Sequence, residues 1–159
     1  MIELPKPFSH SVGNSIEVRC AASEDFEQVL ALLSQMHTNE PVRSSDALAA
    51  TFAAILDSPS RALLVATEAG AVVGTLDLVA IENLTHGGRP WAGVENVVVD
   101  AGHRRRGIGG ALMEAAIALA TAAGCYKLQL VSHDRRDAAH GLYVAAGLDA
   151  PVRGYRRYL

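Results

Sequence analysis

Glu95-Asn96-Val97-Val98-Val99-Asp100-Ala101-Gly102-His103-Arg104-Arg105-Arg106-Gly107-Ile108-Gly109-Gly110-Ala111-Leu112 is the stretch on which the reading of this chain turns. The β-branched run Val97-Val98-Val99 has the composition of a strand. It ends in a turn carrying Arg104, Arg105 and Arg106, then Gly107, Gly109 and Gly110, where a helical pattern begins. Glycines lack a Cβ, so a ligand oxygen can come close to their backbone. The first amides of a helix have no intrahelical acceptor and point outward together. With the helix dipole they make a seat for an anion such as a pyrophosphate. The dipole supplies only about 0.3–1 kcal/mol at an exposed site, so converging N–H bonds must carry most of the grip.

Two familiar phosphate loops do not fit. A Walker loop ends in Gly-Lys-Ser/Thr, whereas Gly110 is followed by Ala111 and Leu112. A dinucleotide fingerprint needs a glycine three places after Gly109, where Leu112 stands. Nucleotide hydrolysis and hydride transfer are therefore poor readings.

Working outward, Ile16–Cys20 is a short strand. Ser23-Glu24-Asp25 opens a helix whose Phe26, Val29, Leu30, Leu33 and Met36 recur at helical spacing. A second helix starts near Ser44-Ser45, places Leu48, Phe52 and Ile55 on one side, and stops before Pro59. Strands over Arg61–Thr67 and Val72–Ile81 flank the tight turn Glu68-Ala69-Gly70. Trp91–Val99 is the next strand, and a helix from about Gly107 to Ala123 closes at Gly124. Tyr126–Val131 reads as a strand, Arg136–Ala146 as a helix, and the tail Val152–Leu159 as a final strand. The order predicts an α/β (α+β) sandwich with a mixed central sheet of six or seven strands and four flanking helices. Residues 1–15 are expected to be a flexible extension, and residues 16–159 a single domain.

Arg104-Arg105-Arg106-Gly107-Ile108-Gly109 matches Arg/Gln-x-x-Gly-x-Gly/Ala, the coenzyme A loop of the GNAT superfamily of N-acetyltransferases. Downstream, Ala139-His140-Gly141-Leu142-Tyr143 followed by Gly147-Leu148 resembles that family's closing Ala-x-x-x-Tyr helix and Gly-Phe, with leucine for phenylalanine. The resemblance is specific between Glu95 and Leu148.

It implies a GNAT-like fold and transfer of an acetyl group from acetyl-CoA (acetyl-coenzyme A) to a primary amine by direct attack in a ternary complex. The backbone of Val97, Val98 and Val99 would hold the pantetheine arm like an added strand. The amides of Arg105, Arg106, Gly107, Ile108, Gly109 and Gly110 would hold the pyrophosphate, with Arg104 opening the motif. Tyr143 takes the place of the general acid that protonates the departing thiolate. Its alternative is a core helix tyrosine. Glu95 is the candidate base, expected to share a strand face with Val97 and Val99; it could equally bind substrate or anchor the sheet. A backbone amide near Val97 would receive the developing oxyanion.

Half of the residues are apolar, 19% are charged and the net charge is −3, a globular composition with no electrostatic case for nucleic acid or membrane binding. No apolar run reaches bilayer length, and Pro5 and Pro7 interrupt the segment where a signal peptide would be apolar. Cys20 and Cys125 read as reduced thiols, so the expected location is cytoplasmic. The six histidines show no metal-ligand spacing. His103 and His133 sit near the expected phosphate side, His140 reads as a packing or surface residue, and Trp91 and Arg89 could line an acceptor pocket or equally be ordinary packing and a solvated loop. Family habit points to a homodimer. The rival from another class is a non-catalytic acyl-coenzyme A-binding or regulatory module.

Overall fold

The computed structural model describes residues 2–6, 8–12, 15–36, 42–149, 154, 155 and 157. Six strands, β1 (Ser9–Val12), β2 (Ile16–Cys20), β3 (Arg61–Glu68), β4 (Ala71–Ile81), β5 (Trp91–Val99) and β6 (Leu128–Gln129), form one sheet in chain order. All neighbours are antiparallel except β5 and β6, which are parallel. A parallel pair needs a long crossover, and the helix α3 (Ile108–Ala122) supplies it. The remaining helices are α1 (Phe26–Ser34), α2 (Asp46–Asp57) and α4 (Asp137–Ala145).

Each end of these elements has a local cause. Ser45 caps α2 by accepting from the Leu48 amide at 3.3 Å. Between β3 and β4, Ala69 (φ 49°) and Gly70 (φ 82°) both take left-handed backbone, which a tight hairpin turn requires. Gly124 (φ 74°) and Gly147 (φ 83°) follow α3 and α4 as left-handed stops.

The sheet separates two cores. On one face Ala62, Leu64, Leu76, Leu78, Ala92 and Val94 pack with α3 and with Tyr143 of α4. On the other, Leu63, Val65, Val72 and Val98 meet Val29 and Leu32 of α1 and Phe52 of α2. The alanines of α3, including Ala111, Ala115 and Ala116, let that helix lie close to the strands. Gly74 of β4 marks the tightest approach: a Cβ there would lie 3.0 Å from Ile108 Cγ2 and 3.1 Å from Leu112 Cδ1.

Two expectations are corrected. Where a flexible extension over 1–15 was expected, Ser9–Val12 pairs with β2 and Leu4 is 1% exposed in the core. Lys6 Nζ donates to the carbonyls of Leu56 and Ser58 at 3.1 and 2.9 Å, tying this segment to the end of α2. The strand expected over Tyr126–Val131 shrinks to Leu128–Gln129, because the chain leaves the sheet after two paired residues. The strand expected over Val152–Leu159 lies largely outside the described residues.

Gly74→Ala should lower stability by about 1–3 kcal/mol through overpacking against α3. Urea unfolding would show this as a lower midpoint at unchanged slope.

Candidate active site

Backbone geometry sets the site. β6 pairs with β5 only at Ala92↔Leu128 and Gly93↔Gln129. From Val94 to Val99, β5 keeps β4 on one side and, among the described residues, has no strand on the other. The two strands therefore splay into a cleft, one edge of which is the unpaired backbone of β5.

Within that open half lies a bulge. Asp77 faces Glu95 and Thr75 faces Val98, so Asn96 and Val97 together oppose Leu76. Asn96 takes φ 54°, a left-handed conformation that asparagine accepts better than most residues. A bulge leaves its extra residue out of the ladder and reverses the side-chain alternation beyond it. This overturns the expected sharing of a face by Glu95, Val97 and Val99. Val97 and Val99 pack toward the α3 core with Val94, whereas Val98 belongs to the α1–α2 core. Glu95 sits on the α1–α2 face beside Asp77, and it is exposed. Asp77 is 5% exposed, and its carboxylate takes Nε of Arg61 at 2.9 Å and also Nη2.

Beyond Val99 the arginine–glycine turn leads from β5 to the head of α3. The first bond of α3 runs from the Ala111 amide to the Gly107 carbonyl at 3.0 Å, leaving the amides of Ile108, Gly109 and Gly110 at the helix head. Gly107 (φ 82°) and Arg105 (φ 60°) are left-handed, the kind of backbone that turns successive N–H groups inward.

The three arginines divide their work. Arg104 Nε donates to the Val99 carbonyl at 3.2 Å, and Arg106 clasps both carboxylate oxygens of Glu68 at 2.9 and 2.5 Å. Among the described residues Arg105 has no side-chain partner, and it is exposed.

Behind the loop stands a network that sequence reasoning missed. Asp100 Oδ1 accepts from Gln35 Nε2 at 2.9 Å, while Asp100 Oδ2 accepts from the Gly102 amide at 3.0 Å and lies 2.6 Å from His103 Nδ1. Gln35 Oε1 in turn accepts from the Ala101 amide at 3.1 Å. His103 Nε2 lies 3.6 Å from Glu68, so His103 stands between two carboxylates and buttresses the turn. Nothing in the local sequence could signal it, since Gln35 and Glu68 are remote in the chain.

Tyr143 is 9% exposed and belongs to the α3–α4 core. Burial pushes its phenol pKa above the usual value; the Arg136 charge pulls it back and the Glu95 charge adds to the rise. The phenol therefore stays protonated at neutral pH. Other candidates fall elsewhere. Arg89 donates to the carbonyls of Gly124 and Cys125 at 3.3 Å each, closing the end of α3. Trp91 lies at the opposite end of β5 from the loop, with Lys127 Nζ 5.5 Å from its ring. His140 Nε2 lies 3.1 Å from the His133 carbonyl, a contact that closes the start of α4. Cys20 and Cys125 are both free and half-buried, and burial raises the Cys125 thiol pKa. No group of three or more metal-ligating side chains occurs among the described residues.

Gln35 first, then His103 and the Gly102 amide, hold the Asp100 carboxyl down from 3.8 to about 2. A depressed carboxylate pKa gives stability that is present above the unfolded value and lost as pH falls through the folded one. Melting temperatures measured across this acid range should fall less steeply for Asp100→Asn than for the parent chain, because the variant lacks that contribution at every pH.

With this geometry in view, comparison with known proteins is specific. Residues 26–148 match the acetyltransferase (GNAT) family. The glucosamine 6-phosphate N-acetyltransferase of Trypanosoma brucei brucei is 30% identical over 125 residues, covering 76% of this chain and 82% of that protein. A solved structure from Agrobacterium tumefaciens str. C58, provisionally named an acetyltransferase, superposes with a TM-score of 0.85 at 33% identity, covering 89% of this chain and 99% of that one. A Bacillus halodurans C-125 structure named as a transcriptional regulator also reaches 0.85, at 26% identity and with 91% and 99% of the two chains covered. The match spans α1, the bulged strand, the arginine–glycine turn and α4, and the chain belongs to the GNAT acetyltransferase family.

Proposed function

We propose that this protein transfers the acetyl group of acetyl-coenzyme A to the primary amine of a phosphorylated amino sugar. The carrying observation is the half-unpaired, bulged β5, whose open half from Glu95 to Val99 is followed by the arginine–glycine turn and the head of α3. Val97 to Val99 offer an open backbone edge to the amide-bearing arm, as a strand offers an edge to a peptide. The amides of Arg105 to Gly110 and the charges of Arg104 and Arg105 suit the phosphates. The trypanosomal relative's named substrate supports the choice of acceptor.

Chemistry then follows from the two sides of the cleft. Glu95, exposed on the α1–α2 face, accepts a proton from the acceptor ammonium, directly or through a water. The freed nitrogen attacks the thioester carbonyl, and the oxyanion is met by a backbone amide that the bulge at Asn96–Val97 releases from the ladder. Carbon–sulfur cleavage returns the carbonyl, Tyr143 gives its phenolic proton to the departing thiolate, and the new amide nitrogen sheds its remaining excess proton to solvent or back to the phenolate. Both groups re-equilibrate with solvent.

Free-thiol release with an amine panel that includes glucosamine 6-phosphate tests this. Tyr143→Phe should lower kcat about 100-fold and leave coenzyme A affinity within about twofold, since only the proton is lost. Glu95→Gln should lower kcat/KM for the amine by a similar factor, with rate recovering as rising pH deprotonates the acceptor. The Bacillus halodurans regulator favours one rival, a non-catalytic acyl-coenzyme A-binding module. Tight coenzyme A binding with no thiol release across the panel, unaltered by Tyr143→Phe, would establish that rival instead.

A further inference from the structure

β4 carries a single charged residue, Asp77, and it is buried. Burying an ion pair seldom adds stability over apolar side chains of similar size, because both charges must first leave water. Arg61 answers Asp77 from β3, donating Nε at 2.9 Å to one carboxylate oxygen and Nη2 to the other. A guanidinium has five N–H donors in one plane. Asp77 takes one edge of it, and among the described residues Nη1 has no partner. The Arg61 side chain is 36% exposed against 6% for that of Asp77, so the pair has one buried member and one open to solvent.

Register places this pair beside Glu95. Leu63, Asp77 and Glu95 stand level across β3, β4 and β5, and Arg61, Val79 and Gly93 form the next rung. Directly paired residues share a face, and Leu63 assigns this one to the α1–α2 side. Two strand spacings, about 10 Å, separate β3 from β5. Arg61 reaches toward Glu95 as far as Asp77, closing about half of that gap. At Gly93 a Cβ would lie 3.3 Å from Val79 Cγ1 and 3.6 Å from Trp91 Cζ3. A glycine there keeps the floor low between Glu95 and Trp91, as close approach of a ligand requires. Val79 and Gly93 are only half-buried and Glu95 is exposed, so α1 and α2 leave this end of the face open.

We propose that Arg61, held by Asp77, binds the phosphate of the acceptor while Glu95 receives its amine. The inference rests on the acetyl-transfer reading and names the residue that reads the acceptor's charge. An amino sugar phosphate carries its ammonium and its phosphate on different carbons of one ring. A carboxylate and a cation set apart on one open face can engage both groups at once. The bonds from Asp77 fix the plane of the guanidinium, so little side-chain freedom is lost when the phosphate arrives. Its remaining donors then make charge-assisted bonds to phosphate oxygens. Asp77 is a positioning residue, and with its charge answered by Arg61 it does not compete with Glu95 for the ammonium.

Initial rates with glucosamine 6-phosphate and with glucosamine test this, read as the ratio of the two kcat/KM values. Arg61→Gln combined with Asp77→Asn, a neutral pair still able to hydrogen-bond, should lower that ratio about 10- to 100-fold, the loss of a charged hydrogen-bonded contact. Arg61→Lys keeps a cation beside Asp77 but has no second planar edge, and should lower the ratio about three- to tenfold. The loss should appear in KM for the phosphorylated sugar, with its kcat within about threefold, because the phosphate is bound alike before and during transfer. An equal loss on both sugars, which leaves the ratio unchanged, marks a merely structural pair and overturns the assignment. Should the double variant not fold, an unchanged ratio in Arg61→Lys overturns it equally. No thiol release by wild type with either sugar would defeat the amino-sugar reading itself, a result distinct from these.

Discussion

The structure is organised around a ladder that is left unmade. Backbone N–H and C=O groups buried without partners are strongly unfavourable, so a strand edge that stays open inside a fold must face water or a ligand. Here β6 pairs with β5 for two residues and then departs, leaving Val94 to Val99 with one free edge. The parallel direction of β6 is essential to this. It requires the α3 crossover, and that crossover places a helix head at the end of the open edge. The close contact of Gly74 with Ile108 and Leu112 seats the head against the sheet. An open strand edge and an exposed helix head thus come from one topological choice.

Electrostatics divides the basic turn into holding and offering parts. Arg106 is bound back to Glu68, and Arg104 braces the end of β5 through the Val99 carbonyl. The Arg106 guanidinium in turn holds the Glu68 carboxyl below the usual range. Asp100 joins His103 and the Gly102 amide to Gln35 at the end of α1, so the turn is anchored to that helix as well as to Glu68. A loop fixed in this way would lose little conformational freedom on binding the anion proposed for it. Arg105 is the charge left outward.

The bulge at Asn96 separates two tasks that a regular strand would place together. Before it, Glu95 faces the α1–α2 side, where it lies across from the Asp77–Arg61 pair. After it, Val97 and Val99 face the α3–α4 side, where Tyr143 is buried. Under the proposed reading, an amine would arrive from one face and the thiolate would leave toward the other, as direct transfer without a covalent enzyme intermediate requires. Neither free cysteine is needed, and burial makes the Cys125 thiolate harder to form.

The sequence alone determined the succession of elements from β2 to α4, because hydrophobic period, the turn at Glu68-Ala69-Gly70 and the glycine stops are local signals; β1 was not among them. It also located the arginine–glycine turn at the head of a helix, since side-chain size and helix-end chemistry need only neighbouring residues. What it could not determine was the direction in which Glu95 points. Strict alternation put it with Val97, and one left-handed residue, Asn96, reversed that pattern in order to match β4 across the sheet. Nor could it show that β6 would stop after Gln129, that Leu4 would be buried, or that Gln35 and Glu68 would hold the turn. Those outcomes depend on surfaces meeting across long stretches of chain, and only tertiary packing decides which backbone edges are paired and which are left open.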